Sequence, residues 1–264
     1  MPQASDHAGH RQQVLDQFTR QAAPFRELPA HSNEDSFQLV LQACCLTPAD
    51  RVLDVACGPG LTACSFAERV EHVTGIDLTP AMIEQARDLQ RTKGLENLSW
   101  HVGDVATLPF PDGAFSLVFT RYSFHHMLDP KAVLAEMARV CAPGGRVVLV
   151  DVYSSSPEQA KAYDHVETLR DPSHVRALGL DEFEGLFEAS GLEGTTVVFD
   201  KLDVALEDLL GSSFPNPGNA DEIRRIFTQD LGVDQLGVGA YASDNGIRFG
   251  FPLVILAARK PASD

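Results

Sequence analysis

Basic residues are scarce in this sequence, and their scarcity argues against several classes of function. The 264 residues include 21 lysines and arginines against 37 aspartates and glutamates, which gives a formal net charge of −16. Such a chain lacks the basic footprint that binds nucleic-acid phosphates, and an anionic membrane surface would repel it. The composition therefore argues against nucleic acid and membranes as partners, and solubility is the simplest explanation of the charge itself.

Cysteine is also scarce, and its spacing argues against a common kind of metal site. The five cysteines include no C-x-x-C pair, so no zinc site of that type, and no metal, is expected. Their odd number and apolar neighbours favour reduced thiols in a cytoplasmic protein. Residues 1–10 lack the apolar core of a signal peptide, and no apolar run approaches the ~18 residues of a membrane span.

The most informative stretch is a short apolar run that ends at the Gly-Pro-Gly turn of residues 58–60. Residues 52–55 predict a buried strand, and the apolar spacing after the turn predicts a helix, so a βαβ unit begins here. Gly58 and Gly60 let a ligand approach the backbone, and with Ala63 they fit the dinucleotide fingerprint G-x-G-x-x-G/A. However, Asp54 has the wrong sign for a pyrophosphate and suits a ligand with a positive charge.

Strands alternate with helices along most of the chain, which predicts a parallel, doubly wound α/β sheet with helices on both faces. The predicted strands are residues 52–55, 73–77, 98–102, 115–120, 146–150, 195–199 and 249–259. Ligands of such sheets bind outside the carboxyl ends of the strands. The first three strands close on acids, Asp54, Asp77 and Asp104, so these should lie along one rim.

The three acids suit the parts of a nucleoside ligand that carries a charged tail. Asp77 falls 19 residues after Gly58, where it can accept both hydroxyls of a ribose. Asp104 would then lie at an adenine edge, and Asp54 at the tail. No lysine or arginine occurs between Val52 and Glu68, so a phosphate-binding base is missing there. Alternatively, strand-end aspartates act only as helix caps and turn formers.

Together these motifs resemble those of the class I S-adenosylmethionine-dependent methyltransferases, most closely the small-molecule branch that includes the ubiquinone/menaquinone C-methyltransferases. The resemblance covers about residues 35–192 and rests on VLDVACGPG at 52–60, GID at 75–77, GDV at 103–105 with LPF at 108–110, and APGG at 142–145. It implies a seven-stranded sheet whose last strand is antiparallel. It also implies S-adenosylmethionine as the cofactor and in-line transfer of its sulfonium methyl to a small-molecule acceptor.

The same resemblance implies a set of cofactor contacts along the strand ends. The methionine part would lie over Gly58 and Gly60, the ribose on Asp77 beside Leu78, the adenine on Asp104 and the Val105 backbone, and the sulfonium side against Thr120 and Arg121.

His125 and His126 are the candidate catalytic residues, because they follow the fourth strand on the ligand side. Histidine is well matched to proton transfer near neutral pH. Adjacent side chains do not easily face the same way, so we expect one to face the cavity and the other to pack or to cap the helix that starts at Asp129-Pro130. His125 would then be the general base for an acceptor hydroxyl or acidic carbon. The alternative is that both histidines are structural.

The remaining segments predict a lid and a substrate cover around the methyltransferase domain of residues 35–264. Residues 1–34, with a short helix at 11–20, would form an N-terminal lid over the cofactor. Residues 153–178 and 205–246 would form a small helical and loop cover over the sheet.

Two other functions remain open from the sequence. An NAD-dependent oxidoreductase would fit the glycine fingerprint and Asp77, although Asp54 and the lack of a Tyr-x-x-x-Lys dyad argue against it. A non-catalytic regulatory protein that binds a nucleoside is the other alternative. The acceptor and the oligomeric state do not follow from the sequence.

Overall fold

A computed structural model describes residues 4–27 and 34–262, which fold around one central sheet. Its strands are β1 (Arg51–Val55), β2 (His72–Asp77), β3 (Leu98–Val102), β4 (Phe115–Arg121), β5 (Cys141–Ser154), β6 (Leu178–Gly179), β7 (Glu193–Ala205), β8 (Tyr241–Ser243) and β9 (Gly246–Arg259). The helices are α1 (Ala4–Glu27), α2 (Glu34–Cys44), α3 (Leu61–Ala67), α4 (Pro80–Lys93), α5 (Pro130–Val140), α6 (Pro157–Arg170), α7 (Leu180–Ala189), α8 (Leu206–Ser213) and α9 (Asn219–Asp230).

The main sheet has the strand order β3-β2-β1-β4-β5-β9-β7. The first five strands pair in parallel, whereas β9 runs antiparallel to both of its neighbours. The two short strands lie off this path, with β6 beside β5 and β8 beside β9. The predicted doubly wound, seven-stranded sheet with an antiparallel last strand is therefore confirmed.

Helices cover both faces of the sheet, which explains why its central strands read as apolar runs. Leu53 and Val55 of β1 pack into one buried cluster together with side chains of α5 and α7. Val52, which precedes Leu53 and faces the other side of the sheet, packs into a second cluster with side chains of α2 and α3. The alternation of β1 side chains between two dry faces leaves only the strand ends open to a ligand.

Gly60 lies where α3 begins and allows that helix to approach its neighbours closely. Its φ of +79° is a left-handed conformation that suits glycine. A Cβ at this position would lie 2.7 Å from the Trp100 ring and 2.8 Å from the Ala86 Cβ. The lack of a side chain at Gly60 therefore serves the packing of α3 against α4 and β3.

A third apolar cluster extends the fold beyond the end of β5. The antiparallel pair β7 and β9 continues past the last residue that pairs with β5, down to Ala205 and Arg248. Side chains of α6, α8 and α9 pack on this extension, among them Val166, Leu209 and Phe227. The segments predicted as a substrate cover, residues 153–178 and 205–246, supply these helices.

The N-terminal helix is longer than the sequence predicts. The pattern predicts a helix over residues 11–20, but α1 runs from Ala4 to Glu27 and contains Pro24. Proline lacks the N–H that would bond to the preceding turn, and the helix ends three residues later. Residues 28–33, which belong to the predicted lid, lie outside the described residues. Over residues 4–27 and 34–262, no helix is long and apolar enough to cross a membrane.

Candidate active site

A cavity of about 330 Å³ lies at the carboxyl ends of β1, β2 and β4, where the parallel topology places a ligand site. Side chains of α1 form its opposite wall, including His10, Arg11, Val14 and Phe18. The cavity brings together most of the predicted cofactor contacts, namely Asp54, Gly58, Asp77, Leu78, Asp104, Val105 and Arg121.

Asp54 is a buried carboxyl group that has no partner for one of its oxygens. Its side chain is 2% exposed, and no group in the described part of the chain donates a hydrogen bond to Oδ2. Burial, together with the negative charge of Asp77, raises the pKa of Asp54 to about 8. A buried carboxylate without a partner is costly, whereas an ammonium group beside it would favour ionisation. The site therefore fits the amino group of a methionine moiety.

Asp77 holds the glycine turn and still has room to bind hydroxyl groups. Its two oxygens accept the Gly58 N–H at 2.9 Å and the Thr79 N–H at 2.8 Å. Burial raises its pKa, and these two backbone hydrogen bonds partly offset the rise. Each carboxylate oxygen has a second lone pair, so the group can also accept both hydroxyls of a ribose.

Asp104 and Val105 follow β3, which lies two strands away from β1 and Asp54 in the sheet. The Asp104 side chain is about half exposed and accepts the Ala106 N–H at 2.9 Å, while Arg11 Nε lies 3.9 Å from its other oxygen. Such a surface ion pair is worth only about 0–1 kcal/mol, so Arg11 can yield to an adenine amino group. Val105 is buried beside this carboxylate.

Two predicted contacts, Gly60 and Thr120, are not among the residues that line the cavity. Gly60 instead allows α3 to pack closely against α4 and β3, as described above. Thr120 is fully buried, and its hydroxyl donates to the Val55 carbonyl at 2.7 Å and bonds the Ser123 hydroxyl at 2.6 Å. Ser123 takes its place in the lining. The sequence pattern gives no signal for this exchange, because it arises from the turn after β4.

Backbone strain accompanies the cavity at two residues that are not glycine. Ala56 has a φ of +55° and Tyr122 a φ of +57°, and both line the cavity. Such left-handed residues are costly and tend to occur at functional sites. The turn at Tyr122 places the Arg121 guanidinium over the Tyr122 ring, 4.5 Å from its centroid, and its positive charge acts against the rise in the Asp54 pKa.

His125 is held by a buried carboxylate that the sequence reasoning did not assign. Its Nδ1 lies 2.6 Å from Asp151 Oδ1, and Asp151 also accepts the N–H groups of Ser123 and Phe124. Burial alone would lower the pKa of His125, but the Asp151 carboxylate outweighs it and the pKa is raised. Asp151 directly follows the predicted fifth strand, so the rule that found the other strand-end acids could also have found it.

His126 has a different environment from its neighbour. Its Nδ1 donates to the Ser173 carbonyl at 3.0 Å, its own carbonyl accepts from His10 Nε2 at 2.7 Å, and its ring lies 5.0 Å from the Phe18 ring. Burial and the nearby charge of His125 lower its pKa. Its ring lines the cofactor cavity.

Of the two histidines, His126 lines the cofactor cavity, whereas the sequence led us to expect His125 there. Neither histidine caps α5, because Asp129 itself accepts the Ala132 N–H at 3.0 Å. Instead, His126 lines the cofactor cavity, and both histidines line a smaller adjoining cavity. No three histidine, cysteine or acidic side chains are grouped as metal ligands in the part of the chain that the structure describes.

The sheet and the strand-end cavity define a nucleoside-binding α/β protein with the class I methyltransferase architecture. A family model described as a methyltransferase domain matches residues 53–149. The chain is 35% identical over 176 residues to the uncharacterized methyltransferase YcgJ of Bacillus subtilis, covering 66% of this chain and 70% of that protein. The crystal structure of YcgJ matches with a TM-score of 0.80 and 28% identity, over 88% of this chain and all of that one.

A further relative is the 27-O-demethylrifamycin SV methyltransferase of Amycolatopsis mediterranei, which is 33% identical over 152 residues and 56% of each chain. The chain belongs to the class I S-adenosylmethionine-dependent methyltransferases. Its cofactor is therefore S-adenosylmethionine, and the oxidoreductase alternative is not supported.

Binding of S-adenosylhomocysteine at pH 7 should release about one proton from the protein. A carboxyl group with a pKa of about 8 is mostly protonated at pH 7, and the ligand ammonium selects the ionised form. The apparent affinity should therefore rise with pH up to about 8 and level off above it. Calorimetry in buffers of different ionisation enthalpy measures the released proton.

Two variants control this measurement. Asp54→Asn should abolish the proton release, whereas Asp104→Asn removes a half-exposed cavity carboxylate and should retain it. Binding without proton release in the unaltered protein would contradict the role of Asp54.

Proposed function

We propose that this enzyme transfers the methyl group of S-adenosylmethionine to a small-molecule acceptor. The unpartnered, buried Asp54 oxygen in the strand-end cavity is the observation that carries the proposal, because it suits the cationic end of the cofactor. The bound cofactor supplies an electrophilic methyl group. Asp54 and Gly58 would hold its amino-acid end, Asp77 its ribose, and Asp104 and Val105 its adenine.

The protein's main contribution is to hold two reactants in contact while water is excluded. Positioning of this kind is worth up to ~7–11 kcal/mol of the barrier. The apolar side chains Val14 and Phe18 of α1 close the cavity from the side opposite the sheet. The relative named as a rifamycin methyltransferase also supports a small organic molecule as the acceptor.

The test of this proposal is turnover against an acceptor library. Incubation with S-adenosylmethionine should yield S-adenosylhomocysteine together with a product heavier by one methylene unit, detected by mass. Asp77→Ala is the matched inactive control, since it removes two charge-assisted hydrogen bonds to the ribose worth ~1.5–3 kcal/mol each. Cofactor binding without turnover across a broad library would favour the regulatory alternative, and tighter binding of NAD would contradict the proposal.

We also propose that His125 is the general base when the acceptor is a hydroxyl or an acidic carbon. Asp151 holds its Nδ1, which leaves Nε2 to accept the proton. His125→Ala should lower kcat by ~10²–10⁴ at saturating cofactor, the usual cost of losing a general base. His126→Ala should cost less than fivefold, because the lowered pKa of His126 makes it a weak base. A loss below fivefold in both variants would leave positioning as the sole mechanism.

The pH dependence of kcat provides a second measurement for the same assignment. A base must be neutral to act, so kcat should rise with pH through the raised pKa of His125. Asp151→Asn removes the carboxylate that raises this pKa and should move the inflection to lower pH. An unchanged inflection would show that another group titrates.

We further propose that the N-terminal segment of residues 1–34 acts as a lid, with α1 as its described part. Deletion of residues 1–31 should weaken binding of S-adenosylhomocysteine by about tenfold or more, which corresponds to the loss of ~1.4 kcal/mol of contacts. Phe18→Ala should weaken binding in the same direction, whereas Gln12→Ala, on the exposed face of α1, should not. Circular dichroism reports whether the sheet stays folded, and unchanged affinity would reject a lid.

A further inference from the structure

A second cavity of about 90 Å³ adjoins the cofactor cavity on the side of the cover. The two cavities share Phe18, Tyr122 and His126 in their walls. The second one lies between α1, α6 and α8 and the extended ends of β5, β7 and β9. A molecule in it would therefore lie next to the cofactor without competing for the strand-end acids.

Most of the wall of this cavity is apolar. The apolar side chains that line it come from α1, α8 and three strands, and they are Phe18, Val152, Leu202, Val204, Leu209, Phe251 and Leu253. An engineered apolar cavity of about 150 Å³ holds one benzene molecule, so 90 Å³ has room for only part of a single ring. The rest of a ligand would extend toward the junction of the two cavities.

The side chains of Arg170, Glu167 and Asp171 in the wall already have hydrogen-bond partners. Arg170 bonds Glu167 at 2.6 Å and the Ser213 hydroxyl at 3.1 Å, and Asp171 accepts the Ser173 hydroxyl at 2.6 Å. An anionic ligand would have to break the buried Arg170–Glu167 pair to gain a counter-charge, which is strongly unfavourable. Arg170 therefore offers no free positive charge to a carboxylate or a phosphate.

The wall contains polar atoms that form no hydrogen bond within the described part of the chain. Among them are the Tyr163 hydroxyl, on a side chain that is 6% exposed, and Nε2 of His125, on a side chain that is 9% exposed. Buried polar groups are normally satisfied, so each calls for a partner. A hydroxyl group on a ligand satisfies both, because it can donate to a neutral imidazole nitrogen and accept from a phenol.

We propose that this second cavity is the methyl-acceptor subsite and that it takes a small, uncharged phenol with an apolar ring substituent. A phenol is neutral at pH 7, since its pKa is close to the tyrosine value of about 10. It is also a stronger donor toward His125 than an alkyl alcohol. The inference rests on the proposed function, whose acceptor it specifies.

The test uses 4-methylphenol as the probe on protein saturated with S-adenosylhomocysteine, with binding followed by ligand-observed NMR titration. The phenol should bind at least tenfold more tightly than 4-methylbenzoate, which has a similar shape and a negative charge. Tyr163→Phe should weaken phenol binding about fivefold, the loss expected for one hydrogen bond. Tyr153→Phe, outside the cavity, should leave it unchanged.

A second pair of variants tests the location without removing a polar group. Leu209 and Leu210 are adjacent on α8 and equally buried, but only Leu209 lines the cavity. Leu209→Phe should reduce phenol binding tenfold or more by filling the space, whereas Leu210→Phe should not. Thermal denaturation checks that both leucine variants fold. If either does not, the effect of Tyr163→Phe on phenol binding tests the proposal by itself.

The outcomes separate this inference from the proposed function. None of these four side chains lines the cofactor cavity, so each variant should bind S-adenosylhomocysteine within twofold of the unaltered protein. Failure of the unaltered protein to bind S-adenosylhomocysteine would overturn the proposed function. If S-adenosylhomocysteine binds normally, three results would each overturn only the acceptor subsite. The first is that 4-methylphenol does not bind, the second is that neither Tyr163→Phe nor Leu209→Phe weakens its binding, and the third is that 4-methylbenzoate binds equally well.

Discussion

The buried carboxyl group of Asp54, one of whose oxygens has no hydrogen-bond partner, is the constraint on which the proposed cofactor site depends. β1 lies between β2 and β4, so its end is enclosed by protein on both sides. Asp77, at the end of β2, adds a second negative charge nearby. A cavity built in this way is unfavourable for phosphate and favourable for a cation. We therefore propose that Asp54, in the strand before the glycine turn, adapts this dinucleotide-like turn to a different ligand.

Asp151 plays the corresponding organising role for the turn that carries the two histidines. It accepts backbone hydrogen bonds from Ser123 and Phe124 and holds the His125 ring. Because one fully buried carboxylate makes all these contacts, the position of the ring is tied to the end of β5. The nitrogen that we propose as the proton acceptor is therefore held by the end of β5, although His125 itself lies in the short 3-10 helix Phe124–His126.

The parts of the fold that were predictable are those with a local signal. The parallel strands were found because burial on both faces leaves apolar runs, and the rim acids because they end those runs. The length of α1 could not be predicted, because residues 4–10 have no apolar stripe and contact the site through polar groups such as His10. Likewise, β7 continues to Ala205 because it pairs with β9, and its residues 200–205 mix polar and apolar side chains. The position of Ser123 in the cavity lining depends on the left-handed conformation of Tyr122, which no residue pattern predicts.

The helix α1 connects the two cavities. Phe18 lies in both walls, while Gln17 and Gln21 donate to the Ser213 carbonyl at the end of α8, at 2.5 and 3.1 Å. The same helix reaches the turn of the histidines through His10 and the third-strand acid Asp104 through Arg11. Any movement of α1 away from the sheet would therefore open both cavities together. The wall of the cofactor cavity opposite the sheet and one wall of the smaller cavity therefore both depend on the position of α1.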